Sequence, residues 1–110
     1  LDETNEYKRA IMDCLAAASS QKEESRKKII ESREVNIILY SLEDKQNKII
    51  LSAANLLLSL SRAHLSCKKY FNDFDIISVL FKLTNHNSIE IQIAITNSLC
   101  NFLLDSTNVI

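Results

Sequence analysis

The stretch IQIAITNSLCNFLL, residues 91–104, combines two patterns that rarely occur together in one helix. It is almost wholly apolar, yet it carries Asn97 and Asn101 four residues apart. Residues at this spacing share one face of a helix. An amide buried without a partner costs about 1–3 kcal/mol. The pair therefore either meets hydrogen-bond partners in a core or faces outward toward a ligand. The pattern of the rest of the chain helps to distinguish these two possibilities.

The composition favours an all-helical chain. The 110 residues include neither Gly nor Pro, although average usage of about 7% and 5% would supply roughly a dozen. Sheets and tight hairpins depend on these residues for positive φ angles and for turn initiation. Hydrophobic residues make up 46% of the chain, which is enough for a core. We therefore expect helices joined by short polar segments.

Charge and hydropathy argue against several classes of partner. A net charge of −1 provides no general attraction to nucleic acid or to anionic membranes. No stretch reaches the roughly 18–20 uncharged apolar residues that a membrane span needs. The first ten residues, LDETNEYKRA, do not resemble a signal peptide. We expect no nucleic-acid or membrane partner, and we expect this chain to be a piece of a longer protein.

The cysteines and histidines give little reason to expect catalysis. Cys14, Cys67 and Cys100 form no CxxC pair, so we expect no metal site. Their odd number suggests a reducing compartment, and we interpret them as small core residues. A Cys–His nucleophile using His64 or His86 is the enzyme alternative. No oxyanion-hole glycine or acidic orienting group accompanies it, so we expect neither catalytic residues nor a cofactor.

The sequence repeats at a shift of 42 residues. The segments RAIMDCLAAAS, LSAANLLLSLS and IAITNSLCNFL begin at residues 9, 51 and 93, and the shift carries Leu15 onto Leu57 and then onto Leu99. The intervening segments also match, because KKIIESREVNIILYSL, from residue 27, lies over KKYFNDFDIISVLFKL, from residue 68. A repeat of this length indicates a chain built from stacked units of similar structure.

Each period predicts three helices, and about seven are expected in all. A capping box, Ser20-Gln21-Lys22-Glu23, opens the first short helix. The second helix carries one apolar stripe, formed by Val35, Ile38, Leu39 and Leu42. The expected helices are residues 3–19, 20–31, 34–43, 45–62, 63–72, 75–85 and 87–104. Residues 1–20 end one repeat, and residues 21–62 and 63–110 form two full repeats.

A three-helix unit of about 42 residues has the size of an armadillo repeat. The segment EIQIAITNSLCNFLL, residues 90–104, resembles the third helix of that family, whose consensus reads EVQEEAAWALSNLAA. Asn97 stands at the consensus Trp, and five residues match the consensus: Glu90, Gln92, Ala94, Leu99 and Asn101. The resemblance implies a right-handed superhelical solenoid. Its third helices would stand side by side and line a concave groove in which the consensus Asn holds an extended peptide.

The resemblance also implies a set of partner-binding residues. Carried over by position and by the 42-residue shift, the candidates in the concave groove are Asp13, Asn55, Ser59, Asn97 and Asn101. The rim would carry the residues seven positions before Asp13, Asn55 and Asn97, namely Glu6, Lys48 and Glu90. Two other interpretations stay open, since these residues could solvate an unused face or bridge neighbouring helices.

Two further features indicate which armadillo-repeat proteins this chain resembles. The chain has no Trp, and its joints ESRE and NDFD, residues 31–34 and 72–75, lack the family's usual Gly. Nuclear import receptors, which depend on a Trp–Asn array, are therefore not expected. The segments LLLSLSR, from residue 56, and LCNFLLDS, from residue 99, resemble the armadillo-repeat scaffold subunits of the GID/CTLH ubiquitin-ligase complex.

This second resemblance implies a non-catalytic scaffold in protein degradation. Such a subunit links a substrate receptor to the subunits of the catalytic core, in the cytoplasm and also in the nucleus. A generic armadillo or HEAT-type adaptor that binds an extended peptide in its groove is the alternative.

The repeat register also predicts which side chains are buried. Leu57 and Leu99 should lie in the core, together with three residues of the helix near position 80, namely Ile77, Leu80 and Leu83. The outermost helices should leave apolar surface uncovered at Ile11, Leu15, Phe102 and Leu103. An isolated piece of a solenoid lacks polar capping repeats, so we expect the isolated chain to self-associate or to need neighbouring repeats.

Overall fold

A computed structural model describes residues 2–32, 35–63, 71 and 75–108, and the regular structure of these residues is helical, with no strand. This confirms the all-α class. The expected helix over residues 63–72 lies almost wholly outside the described residues, so the seventh helix stays a prediction. The six described helices are α1 (Asp2–Ser19), α2 (Glu23–Glu31), α3 (Val35–Leu42), α4 (Asn47–Leu60), α5 (Ile76–Leu83) and α6 (Ile89–Asn108).

The helices form two layers. In one layer α4 lies between α1 and α6, the helices that the 42-residue shift relates to one another. In the other layer α3 packs against α4, and α5 packs against α6. The side-by-side order of α1, α4 and α6 agrees with the repeat pattern. The right-handed superhelical path and the division into repeats stay predictions.

The core follows the apolar positions that the repeat aligned. Leu57 and Leu99 are buried, with 0% and 7% of their surface exposed, as the repeat register predicted. Leu80 is also buried. The prediction is wrong for Ile77 and Leu83, which are only partly buried against the core. Ile76 takes the deeper place beside Leu80, because residues four apart share the inner face of α5.

The predicted capping box is wrong. Helix α2 begins at Glu23, and Lys22, an extended residue without a side-chain capping bond, precedes it. The Ser20 hydroxyl instead donates to the carbonyl oxygen of Ala17 at 2.9 Å, so it finishes α1. Arg26 donates from Nη1 to the carbonyl oxygen of Ser19 at 2.8 Å. This bond places a cation at the C-terminal end of α1, where the helix dipole favours it.

The joint before α5 makes its turn without glycine. Asp75 has φ 50° and ψ 50°, the left-handed region. It is the single non-glycine residue with positive φ in the described part of the chain. Asp and Asn enter this region more readily than other non-glycine residues, though still at a cost. The missing glycine of the NDFD joint is therefore replaced by a strained Asp.

Some end residues depart from the expected exposure. Phe102, expected to be uncovered, is buried, and its ring packs edge-to-face with the ring of Phe71 at a centroid distance of 5.4 Å. Ile11 and Leu15 are half-buried, whereas Leu103 is exposed as predicted. The predicted core positions of two cysteines are also wrong, since both side chains are exposed: Cys14 and Cys100. Cys67 lies outside the described residues.

Candidate functional site

Three polar side chains stand at equivalent places on the row of helices α1, α4 and α6. Asp13, Asn55 and Asn97 lie 42 residues apart and are all exposed. We call them the ladder. The residues predicted for its rim are exposed as well: Glu6, Lys48 and Glu90.

The buried leucines explain why the ladder points outward. In α4 and α6 a leucine follows the ladder residue by two positions, and both leucines, Leu57 and Leu99, are buried. Two residues correspond to about 200° around a helix. The core therefore holds one side of each helix and leaves the ladder residue on the opposite side. The same apolar pattern that builds the core thus positions Asn55 and Asn97.

Neighbouring helices of the row are joined by hydrogen bonds that repeat. The hydroxyls of Ser19 and Ser59 lie 2.7 Å apart in the buried α1–α4 junction. In the α4–α6 junction, Asn101 donates from Nδ2 to Oγ of Ser61 at 2.8 Å. Each pair is separated by 40 residues, and the 42-residue shift maps the first pair onto the second. The two junctions therefore have the same register.

Ser19 and Ser61 make the same bond to the backbone carbonyl three residues earlier. The Ser19 hydroxyl donates to the carbonyl oxygen of Ala16 at 3.2 Å. The Ser61 hydroxyl donates to the carbonyl oxygen of Leu58 at 2.6 Å. Each serine oxygen then has a lone pair for the next helix. Either hydroxyl can be the donor in the Ser19–Ser59 pair, whereas Asn101 is the donor to Ser61 in the other pair.

The two asparagines of the opening segment thus have different roles. Asn97 faces outward, whereas Asn101 is half-buried and bridges α6 to the end of α4. Ser59 is 4% exposed and bonds across the α1–α4 junction. The structure therefore departs from the expected groove at Ser59 and Asn101, because their polar groups are engaged between helices. Partner contact by the ladder stays a prediction.

The ladder can offer both donors and acceptors to a partner. The amides of Asn55 and Asn97 can each donate and accept, which suits a peptide backbone, whereas an ionised Asp13 can only accept. A depression of about 420 Å³ adjoins Asn97, and Ile89 and Ile93 form part of its lining. Gln92 donates from Nε2 to the carbonyl oxygen of Thr84 at its edge, at 3.2 Å. The α6 end of the ladder therefore combines an amide with apolar surface.

A second depression lies on the other layer of helices. It measures about 220 Å³ and is lined by Asn36, Leu39, Tyr40, Glu43 and Val79, from the α3 and α5 side of the molecule. Tyr40 is 77% exposed. No periodic pattern in the sequence predicted this surface, because Tyr40 falls outside the stripe that α3 buries.

The described residues offer neither a metal site nor a membrane-spanning helix. No group of three or more His, Cys, Asp or Glu side chains among them could hold a metal ion. His86 accepts a hydrogen bond at Nδ1 from the amide of Ser88 at 3.0 Å, which occupies that nitrogen. No helix within the described ranges is long and apolar enough to cross a membrane. His64 lies outside the described residues.

Comparison with known proteins finds similar chains across nearly the whole sequence. GID complex subunit 5 of Schizosaccharomyces pombe is 27% identical over 95 residues, which cover 86% of this chain and 12% of that protein. Armadillo repeat-containing protein 8 of Danio rerio is 30% identical over 106 residues, covering 96% of this chain and 16% of that protein. The Xenopus laevis protein of the same name is 29% identical over 106 residues, with 96% and 15% covered.

These relatives confirm the expected family resemblance. The chain spans about 12–16% of the length of the curated relatives it matches. No family model matches the sequence, and no solved structure matches it. Similarity to these relatives therefore supports the armadillo repeat type of this chain more directly than it supports any particular binding partner.

Proposed function

This chain resembles armadillo-repeat proteins over nearly its whole length, and we propose that it is a non-catalytic scaffold whose ladder surface binds an extended segment of a protein partner. The observation that carries the proposal is the exposure of Asp13, Asn55 and Asn97 at a constant spacing on helices packed side by side. A row of this kind offers regularly spaced polar groups to a chain lying across it.

The energetics favour a rigid polar row as a binding surface. Each hydrogen bond between an amide and a peptide backbone contributes about 0.5–1.5 kcal/mol net. The row is held by buried leucines and by the Ser19–Ser59 and Ser61–Asn101 bonds. Because these side chains already fix the helices, little ordering cost arises when a partner binds.

We further propose that the partners are subunits of a ubiquitin ligase of the GID/CTLH type. The support is the similarity to GID complex subunit 5 together with the segments from residues 56 and 99. In this proposal the chain links a substrate receptor to the subunits of the catalytic core, in the cytoplasm and also in the nucleus. The receptor supplies the extended segment.

Affinity purification followed by mass spectrometry tests this proposal. The wild-type sequence, within its parent protein where one exists, is compared with the double variant Asn55→Ala/Asn97→Ala. Asn36→Ala is the matched control, because Asn36 is also exposed but lies on α3. We expect receptor and RING-type subunits with the wild type and with Asn36→Ala, and at least a tenfold loss of receptor with the double variant.

Three outcomes would count against parts of the proposal. Recovery of unrelated partners that depend on the ladder would favour the generic peptide-binding adaptor, for which the apolar lining near Asn97 offers a place for a side chain. Normal recovery with the double variant would remove the ladder from the binding surface. A selective loss with Asn36→Ala would move that surface to the α3 and α5 layer.

A further inference from the structure

Helix α6 exposes a face whose equivalents in α1 and α4 are buried or half-buried. Its members Ile93, Thr96, Cys100 and Leu103 are exposed, and we call them the forward face. At the position of Thr96, α1 has Met12 and α4 has Ala54, which are 1% and 0% exposed. The equivalents of Leu103 are the serines at the two junctions, and both are buried: Ser19 and Ser61.

Helix α1 exposes the opposite face. Tyr7, Ala10, Cys14 and Ala18 are exposed, and we call them the rear face. Their equivalents in α4 all lie within the structure: Ile49, Ser52, Leu56 and Leu60 are 0–5% exposed. In α6 the equivalents are likewise buried, namely Ile91, Ala94, Ser98 and Phe102. Each outer helix thus presents one half of a junction that the molecule already makes twice.

We propose that a second copy of this chain places its rear face on the forward face of the first, head to tail, in the register of the two internal junctions. The continuity with these junctions supports a second copy as the occupant. The chain carries both halves of the contact, and both halves are largely apolar. The proposal does not depend on the identity of a ligase partner, so it stands apart from the proposed function.

The register specifies which residues meet. Within the molecule, a residue near the end of one helix pairs with the residue 40 positions later, as in Ser61 and Asn101. Applied to α6 and a second α1, the same offset sets Ile93 opposite Tyr7 and Leu103 opposite Ala17. In the second of these pairs a small alanine faces a larger side chain. The offset also sets Cys100 of one copy opposite Cys14 of the next.

The exposed cysteines make this register testable by oxidation. Both thiols are exposed in the single chain. Helix α4 separates α1 from α6, so a bond between Cys14 and Cys100 forms between copies rather than within one. With diamide as the added oxidant, the two thiols lose two protons and two electrons to form one S–S bond, and diamide is reduced to the corresponding hydrazine.

The contact is heterologous, so it does not close after two copies. In the 110-residue chain with Cys67→Ser, diamide should therefore give a series of bands for dimers, trimers and longer species on a non-reducing gel. Peptide mapping should find Cys14 joined to Cys100. Adding Cys14→Ser or Cys100→Ser to this protein should prevent the formation of trimers and longer species. An equimolar mixture of these two variants should form dimers and nothing longer.

Sedimentation equilibrium without oxidant provides an independent readout. Tyr7→Ser and Leu103→Lys, in separate chains, should each lower the association constant at least tenfold. Tyr40→Ser is the matched control and should leave it unchanged, because Tyr40 is as exposed as Tyr7, 77% against 71%, but lies on α3.

The proposal is overturned by any of three results. The first is a chain that stays monomeric at high concentration. The second is a disulfide map dominated by Cys14–Cys14 or Cys100–Cys100. The third is an association that Tyr40→Ser weakens as much as Tyr7→Ser does.

Discussion

The α1–α4 and α4–α6 junctions share a register but differ in chemistry. The first is closed by two buried serine hydroxyls and the second by an asparagine amide on a serine. Ser59 is 4% exposed, whereas its equivalent Asn101 is half-buried. The pairing geometry is therefore set by how the helices pack, and the polar group that completes it can change as long as a donor meets an acceptor.

The largest effect should come from the leucines beneath the two junctions. Leu57→Ala and Leu99→Ala should each lower the free energy of unfolding by about 2–5 kcal/mol, because each leaves a cavity. Leu57 should lie nearer the upper value, since α4 is flanked by helices on both sides. Urea unfolding measures both changes against a typical domain stability of about 5–15 kcal/mol.

Ile89→Ala is the control for the leucine pair, because Ile89 is 65% exposed, and it should change stability by less than about 0.5 kcal/mol. An unchanged melting temperature for Leu99→Ala would refute the repeat register.

The junction bonds themselves should differ in strength. Ser19→Ala should cost about 1–3 kcal/mol, because it leaves the buried Ser59 hydroxyl without its partner across the junction. Asn101→Ala should cost about 0.5–1.5 kcal/mol, since Asn101 is half-buried and the buried Ser61 hydroxyl keeps its bond to the carbonyl oxygen of Leu58. Double-mutant cycles on the two pairs measure the couplings. Ser78→Ala, at an exposed site of α5, is the control. A larger loss of stability for Asn101→Ala than for Ser19→Ala would contradict the expected difference between the junctions.

The joint of the later repeat should gain stability from glycine. Asp75→Gly should raise the free energy of unfolding by up to about 1 kcal/mol, because glycine enters the left-handed region without the steric cost that Asp75 bears. Thermal unfolding monitored by circular dichroism measures the change. Asp75→Ala is the control and should lower the melting temperature. Equal effects of the two variants would argue against a left-handed residue at this joint.

The ladder should contribute least to stability. Asn55→Ala/Asn97→Ala should change the free energy of unfolding by less than about 0.5 kcal/mol, because both side chains point away from the core. This contrasts with Asn101, four residues beyond Asn97, whose amide bridges two helices. Urea unfolding of the Asn55→Ala/Asn97→Ala variant measures this change in stability. A double variant that unfolds would show that the ladder residues are interhelical struts.

The sequence alone was sufficient for the helical class and for the order of the row, because both depend on apolar spacing and on the 42-residue shift. It could not separate Asn97 from Asn101. Both lie on the same side of α6, and about 40° of rotation decides whether a side chain reaches the neighbouring helix. The shift did hold a signal, since it maps Ser19 onto Ser61 and Ser59 onto Asn101, the two pairs that bond.

The exposure of the cysteines could not be deduced from their residue type. Cys14 and Cys100 lie within helices rich in apolar residues, where a core position is the usual expectation. They face outward because each stands on the side of α1 or α6 against which none of the other described helices packs. Only the arrangement of the whole row determines this.

Disulfide trapping inside one chain tests the shared register most directly. In a chain whose native cysteines are replaced by serine, Ser61→Cys/Asn101→Cys and Ser19→Cys/Ser59→Cys are compared with Leu58→Cys/Asn101→Cys, in which one cysteine is moved back by about one helical turn. A disulfide needs Cα atoms within about 4.4–6.8 Å. We predict rapid intramolecular crosslinking of the first two pairs and little of the third. Faster crosslinking of the displaced pair, or of one junction alone, would contradict a common register.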